Sequence, residues 1–162
     1  GIPLCYDGTS DVASEVIRMT AEKKHAPCRK IGKDAFEIRE ITDKQVAFSI
    51  VNGYDKNIIW TVASTGIYQM MNATLAVSAM EEVLGKPSDT RQWKRALERA
   101  KWPGRMEEVL PGVILDGAHN LPAIERFCES LRKQKEYFAE KGEQSGKTVI
   151  LFSAVDDKDY KY

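Results

Sequence analysis

Apolar and polar positions alternate along the chain in segments of two kinds. Ile2 to Tyr6 is a short apolar run that ends in a turn at Asp7-Gly8-Thr9. Ser10 is placed to cap a helix running to about Lys24, with Ala13, Val16, Ile17 and Thr20 on one face, and Pro27 stops it. Three period-two segments follow: Phe36 and Ile38, then Val46, Phe48 and Ile50, then Ile58, Trp60 and Val62. Turn-like links at Thr42-Asp43-Lys44 and at residues 52–57 join them, which predicts a small antiparallel meander. Ile67 to Leu84 is apolar almost all round and predicts a buried helix ended by Gly85-Lys86-Pro87. Ser88 or Asp89 then caps an amphipathic helix carrying Trp93, Ala96, Leu97 and Ala100 at helical spacing.

Trp102-Pro103-Gly104-Arg105 breaks that pattern and marks a hinge. Beyond it, Gly112 to Leu115 reads as a strand ending in Asp116-Gly117-Ala118-His119-Asn120. Asn120 caps a helix that tolerates Pro122 in its first turn and buries Ile124, Phe127, Cys128, Leu131 and Phe138. Thr148 to Phe152 reads as a second strand, followed by Asp156, Asp157 and Asp159. Strand, helix, strand predicts a βαβ unit with a parallel pair, so the fold class is α/β. A two-stranded parallel sheet cannot cover its own faces, so more chain or a partner is implied.

Composition narrows the function. The chain has 162 residues, 43% of them hydrophobic, and its 24 basic and 24 acidic side chains cancel. A neutral chain carries no field for nucleic acid or an anionic membrane. No apolar run approaches the ~18 residues that span a bilayer. Three cysteines without a CxxC pair fit reduced thiols and a cytoplasmic setting. Gly1-Ile2-Pro3 has neither the basic nor the apolar part of a signal peptide, nor an initiator Met, which suggests a processed product or a fragment.

Candidate chemistry gathers at few places. Gly142-Glu143-Gln144-Ser145-Gly146-Lys147-Thr148 imitates a phosphate loop, but three residues separate its glycines where the pattern needs four. Its order is also helix, loop, strand, so no helix N-terminus meets a phosphate. Asp116 to Asn120 is better placed, at a strand's carboxyl end with a helix beginning. There Asp116 can accept from ribose hydroxyls or help hold a cation, and His119 can donate to a phosphate; an Asx-turn with a capping Asn is the plainer alternative. Asp156, Asp157 and Asp159 suit Mg²⁺ or a solvated loop equally in kind. Arg105, in the hinge, offers a guanidinium for phosphate or a surface charge. Gln69 and Asn72 offer amides for an adenine edge or for nearby backbone, and His25 is a solvated residue at a helix end.

Tyr68-Gln69-Met70-Met71-Asn72-Ala73, then Trp102-Pro103-Gly104-Arg105-Met106-Glu107, then Asp116-Gly117-Ala118-His119-Asn120, then Asp157-Lys158-Asp159, resemble in order the second half of folylpolyglutamate synthase / dihydrofolate synthase, of the Mur ligase superfamily. The likeness is strongest from 66 to 159. It implies that residues 1–101 are the tail of a central ATP-binding domain and 102–162 the start of a Rossmann-like C-terminal domain. It implies ATP and Mg²⁺ as cofactors, with L-glutamate joined to folate or dihydropteroate through an acyl phosphate. It implies that Asn72 contacts adenine, that Arg105 and His119 lie at the phosphates, and that Asp116 contacts ribose or phosphate-side groups, with His119 and Asp116 nearest the chemistry. The family's phosphate loop and metal ligands have no match here, so the expectation is a fragment without ligase activity of its own. Leu121 intervenes where the family has Pro directly after Asn. A non-catalytic nucleotide-binding or interaction module is the alternative, and the folate acceptor and oligomeric state stay open.

Overall fold

The computed structural model describes residues 1–51, 57–85, 89–143 and 146–153. The chain opens with β1 (Leu4–Asp7), α1 (Asp11–Lys23) and β2 (Cys28–Ile31), and β1 pairs with β2 in parallel, Leu4 opposite Cys28. A right-handed crossover through a helix is the ordinary way to join such a pair. Ser10 caps α1 as expected, its hydroxyl accepting from the Ala13 N–H. The buried face differs from expectation. Ser14 and Ala21 are buried, whereas Val16 is 60% exposed. The parallel strand β2 sets that orientation, and the period read without β2 pointed one residue off.

The meander is present: β3 (Phe36–Ile41), β4 (Val46–Ile50) and β5 (Trp60–Val62) lie in the order β3-β4-β5, both pairs antiparallel. Every residue of β4 is buried, as befits a central strand. Ile58 lies outside the third strand but still packs against the core.

Against this sheet lies α2 (Tyr68–Leu84), and Met70, Ala73 and Val77 join Phe48, Trp60 and Val62 in one cluster. Phe36 meets Phe48 edge to face at 6.3 Å. A smaller cluster of Ile31, Ala35 and Met71 ties β2 to α2. The helix is not buried all round: its last turns emerge, with Val83 78% exposed. Amphipathic α3 (Arg91–Arg99) adds Trp93 and Leu97 to the main core. Its N-cap is Thr90; Asp89 serves the first turn by accepting from the Arg91 N–H, and Ser88 lies outside the described residues.

The C-terminal part departs most from the reading of the sequence. β6 (Glu107–Leu110) and β7 (Val113–Leu115) form an antiparallel hairpin around Pro111-Gly112, with Gly112 at φ +74°. Residues 146–153 form no strand, so the expected parallel pair is replaced by this hairpin. A tight turn pairs neighbours at low closure entropy, whereas the parallel alternative must close across the whole intervening helix. That helix, α4 (Leu121–Glu140), starts at Asn120, whose side chain accepts from the Ala123 N–H, with Pro in the first turn. Gly142, at φ +78°, donates to the Ala139 carbonyl and closes the helix rather than cradling a phosphate. Among the described residues no helix is long and apolar enough to cross a membrane.

Candidate functional site

The loop from β5 into α2, the segment 102–106, and the turn after β7 converge. Ser64 Oγ accepts from the Gly66 N–H at 3.2 Å and donates to the Arg105 carbonyl at 3.4 Å. The Ile67 N–H finds Ser130 Oγ of α4 at 3.1 Å, and the same hydroxyl donates to the Arg126 carbonyl. The start of α2 is thereby satisfied without a side-chain cap of its own.

An open cleft of about 750 Å³ lies beside this junction. Val62, Ala73 and Leu97 form apolar wall, and Gln69, Asn72, Lys101, Trp102 and Arg105 bring polar, aromatic and cationic groups to it. Asn72 Nδ2 donates to Gln69 Oε1 at 2.7 Å, so the two amides are mutually oriented on one helical turn. Trp102 is 74% exposed, a large aromatic surface with little of its own packing.

Asn72 and Arg105 thus share one cleft. Asp116 and His119 do not line it. Asp116 stands behind the wall with both oxygens engaged: Oδ2 accepts from Tyr68 Oη at 2.8 Å and from the Met106 N–H at 2.9 Å, and Oδ1 accepts from the Ala118 N–H at 2.8 Å. The plainer Asx-turn is therefore present, extended by a phenol from another element. His119 is exposed, its Nδ1 2.8 Å from the Gly117 carbonyl. A carbonyl only accepts, so this contact is a hydrogen bond when Nδ1 carries the proton. Burial, reinforced by the hydrogen bond to Asp116, holds the Tyr68 phenol well above its usual range, while the Arg105 charge acts the other way.

Gly117 N–H donates to the Gly104 carbonyl at 2.8 Å, and a Cβ at 117 would collide with the Arg105 guanidinium. Glycine at 117 therefore gives Arg105 its space. The sequence reading passed over Tyr68 as a hydroxyl donor, Lys101 as a cleft cation and Trp102 as more than a breaker. Only the last, a tryptophan beside Pro-Gly in an otherwise polar stretch, carried a local signal.

Asp156, Asp157 and Asp159 lie outside the described residues. Among the described residues no three His, Cys, Asp or Glu side chains gather as a metal site. All three cysteines are free, and burial pushes the Cys5 thiol up, away from nucleophilic reactivity. His25 is exposed after α1, as expected.

This architecture is a fold shared with part of solved folylpolyglutamate synthases. The structure aligns with Mycobacterium tuberculosis folylpolyglutamate synthase complexed with ADP and AMPPCP at a TM-score of 0.62 and 20% identity, over 74% of this chain and 28% of that one. A second structure of that enzyme, with ADP, aligns at a TM-score of 0.59 and 20% identity, over 74% of this chain and 27% of that one. No family model matches.

The sequence relatives are more particular. The chain is 31% identical, over 99% of its length, to the dihydrofolate synthase/folylpolyglutamate synthase of Bacillus subtilis, of which it covers 37%. It is 28% identical over 94% of its length to a probable bifunctional folylpolyglutamate synthase/dihydropteroate synthase of Halobacterium salinarum, of which it covers 18%. The chain is thus similar in sequence to these synthases and spans little more than a third of the length of the Bacillus relative.

Proposed function

We propose that this chain is the C-terminal portion of an ATP-dependent ligase that joins L-glutamate to a folate or dihydropteroate carboxylate through an acyl phosphate. Residues 1–101 then close the central ATP-binding domain and 102–162 open the C-terminal domain. The observation that carries the reading is that Asn72 and Arg105, from separate elements, face one cleft at their junction.

The side chains fit an adenine nucleotide. A flat apolar and aromatic wall, two oriented amides and the cations Lys101 and Arg105 match a base, its polar edge and a phosphate chain. Asn72 would read the base edge. Arg105 would make charge-assisted bonds to phosphate oxygens. Mg²⁺ would arrive with the triphosphate, which needs few protein ligands for it. His119 is exposed and lies outside the cleft lining, where it would be open to a second substrate. Positive charge at the transferring phosphoryl group, and an amine held against the activated carboxylate, are what such a reaction needs from its protein. Free cysteines suit a reducing cytoplasm.

Calorimetric titration of the chain with ATP and Mg²⁺ tests this. Arg105→Ala should weaken binding about ten-fold and Asn72→Ala about five-fold, the scale of one charge-assisted and one neutral hydrogen bond. Unchanged affinity in both variants would remove the site.

A further inference from the structure

Asp116 sits where two elements meet and does not line the cleft. One of its oxygens is shared between the Tyr68 phenol of α2 and the Met106 N–H. Met106 follows Arg105 directly and adopts φ +50°, with the residue 4% exposed. A bulky residue in the left-handed region is strained and persists only where its surroundings over-determine it. Here the surroundings are the Asp116 carboxylate on the N–H, the buried thioether, and Ser64 Oγ on the preceding carbonyl. The space at Gly117 then receives the Arg105 guanidinium.

We propose that Tyr68 is a positioning residue: acting through Asp116, it fixes the left-handed turn at Met106 and so sets the direction in which Arg105 enters the cleft. The proposal rests on the nucleotide reading for what Arg105 meets, but not for the turn itself. The hydrogen-bonded route from Tyr68 to the turn runs through Asp116, and the Tyr68 ring also sits against Gly66, where a Cβ would come within 2.9 Å of it and 3.0 Å of the Met106 side chain. The Tyr68→Phe change keeps that ring and removes only the donor. The raised phenol pKa agrees, since the hydroxyl remains a donor throughout the neutral range.

The test compares the wild-type chain with Y68F in two measurements. Amide exchange followed by NMR, without nucleotide, should show the Met106 N–H exchanging about ten-fold faster in Y68F, with β4 amides unchanged. Titration with ATP should show Y68F about five-fold weaker, and R105A should cost less in the Y68F background than in wild type. Equal Met106 exchange in the two proteins overturns the proposal whatever ATP does. Faster exchange at Met106 alone supports the fixed turn even if the wild-type chain binds no ATP, an outcome that counts against the nucleotide reading instead. If wild type binds ATP and the Y68F and R105A effects simply add, Tyr68 is structural only and its positioning role is lost.

Discussion

At the scale of single residues, the junction depends on groups that bond to one another before any ligand is considered. Tyr68 gives a pH-dependent prediction. Its folded pKa lies above the unfolded value, so the folded state favours the protonated phenol. That contribution is whole below about pH 10 and is lost as pH rises toward the folded pKa. Urea midpoints of wild type and Tyr68→Phe should therefore differ at pH 8, and the gap should narrow as pH rises above about 10; a gap that stays constant would contradict the assignment. Gly117→Ala separates folding from binding. The new methyl meets the far end of a flexible arginine rather than backbone, so stability should hold within about 0.5 kcal/mol while ATP affinity falls with the displaced guanidinium. Thermal unfolding alongside titration checks both. The residue types of this site were legible in the sequence as motifs. Their bonds were not: nothing in Asp116-Gly117-Ala118 announces a phenol arriving from Tyr68, because that contact exists only once α2 and the hairpin lie side by side.

At the scale of elements, legibility followed the strength of the pattern. The meander alternates cleanly and has one buried face, so its three strands were readable. Strand β2 is Cys28-Arg29-Lys30-Ile31, with two charged residues at its centre and only Ile31 buried, and strand β6 is Glu107-Glu108-Val109-Leu110, exposed throughout. Neither alternates, and partner strands define them instead. The hairpin has one local cue, Pro111-Gly112. Helix α1 shows the cost of a missing neighbour, since without β2 the buried face could not be phased. The α2–α4 contact yields a prediction of its own. Ser130 is fully buried and holds the Ile67 N–H. Ser130→Ala leaves that N–H without its partner and should cost about 1–3 kcal/mol in denaturant unfolding. A loss below a few tenths would show that the start of α2 does not depend on α4.

At the scale of the molecule, one principal core joins the meander, α2 and α3, and the cleft lies along the edge where this body meets the segment 102–118. Phe48 is 0% exposed at the centre of that core. Phe48→Ala should destabilise the fold by about 3–5 kcal/mol and reduce nucleotide binding only through the folded fraction. The central claim is that two remote sequence motifs converge on one nucleotide. It is tested most directly by titrating the isotope-labelled chain with ATP and Mg²⁺ and following each amide and the Trp102 indole by NMR. Saturable shifts at Asn72, Trp102 and Arg105 together, with a single dissociation constant, are expected. Shifts confined to one side of the cleft, or none while the fold is intact, would contradict it.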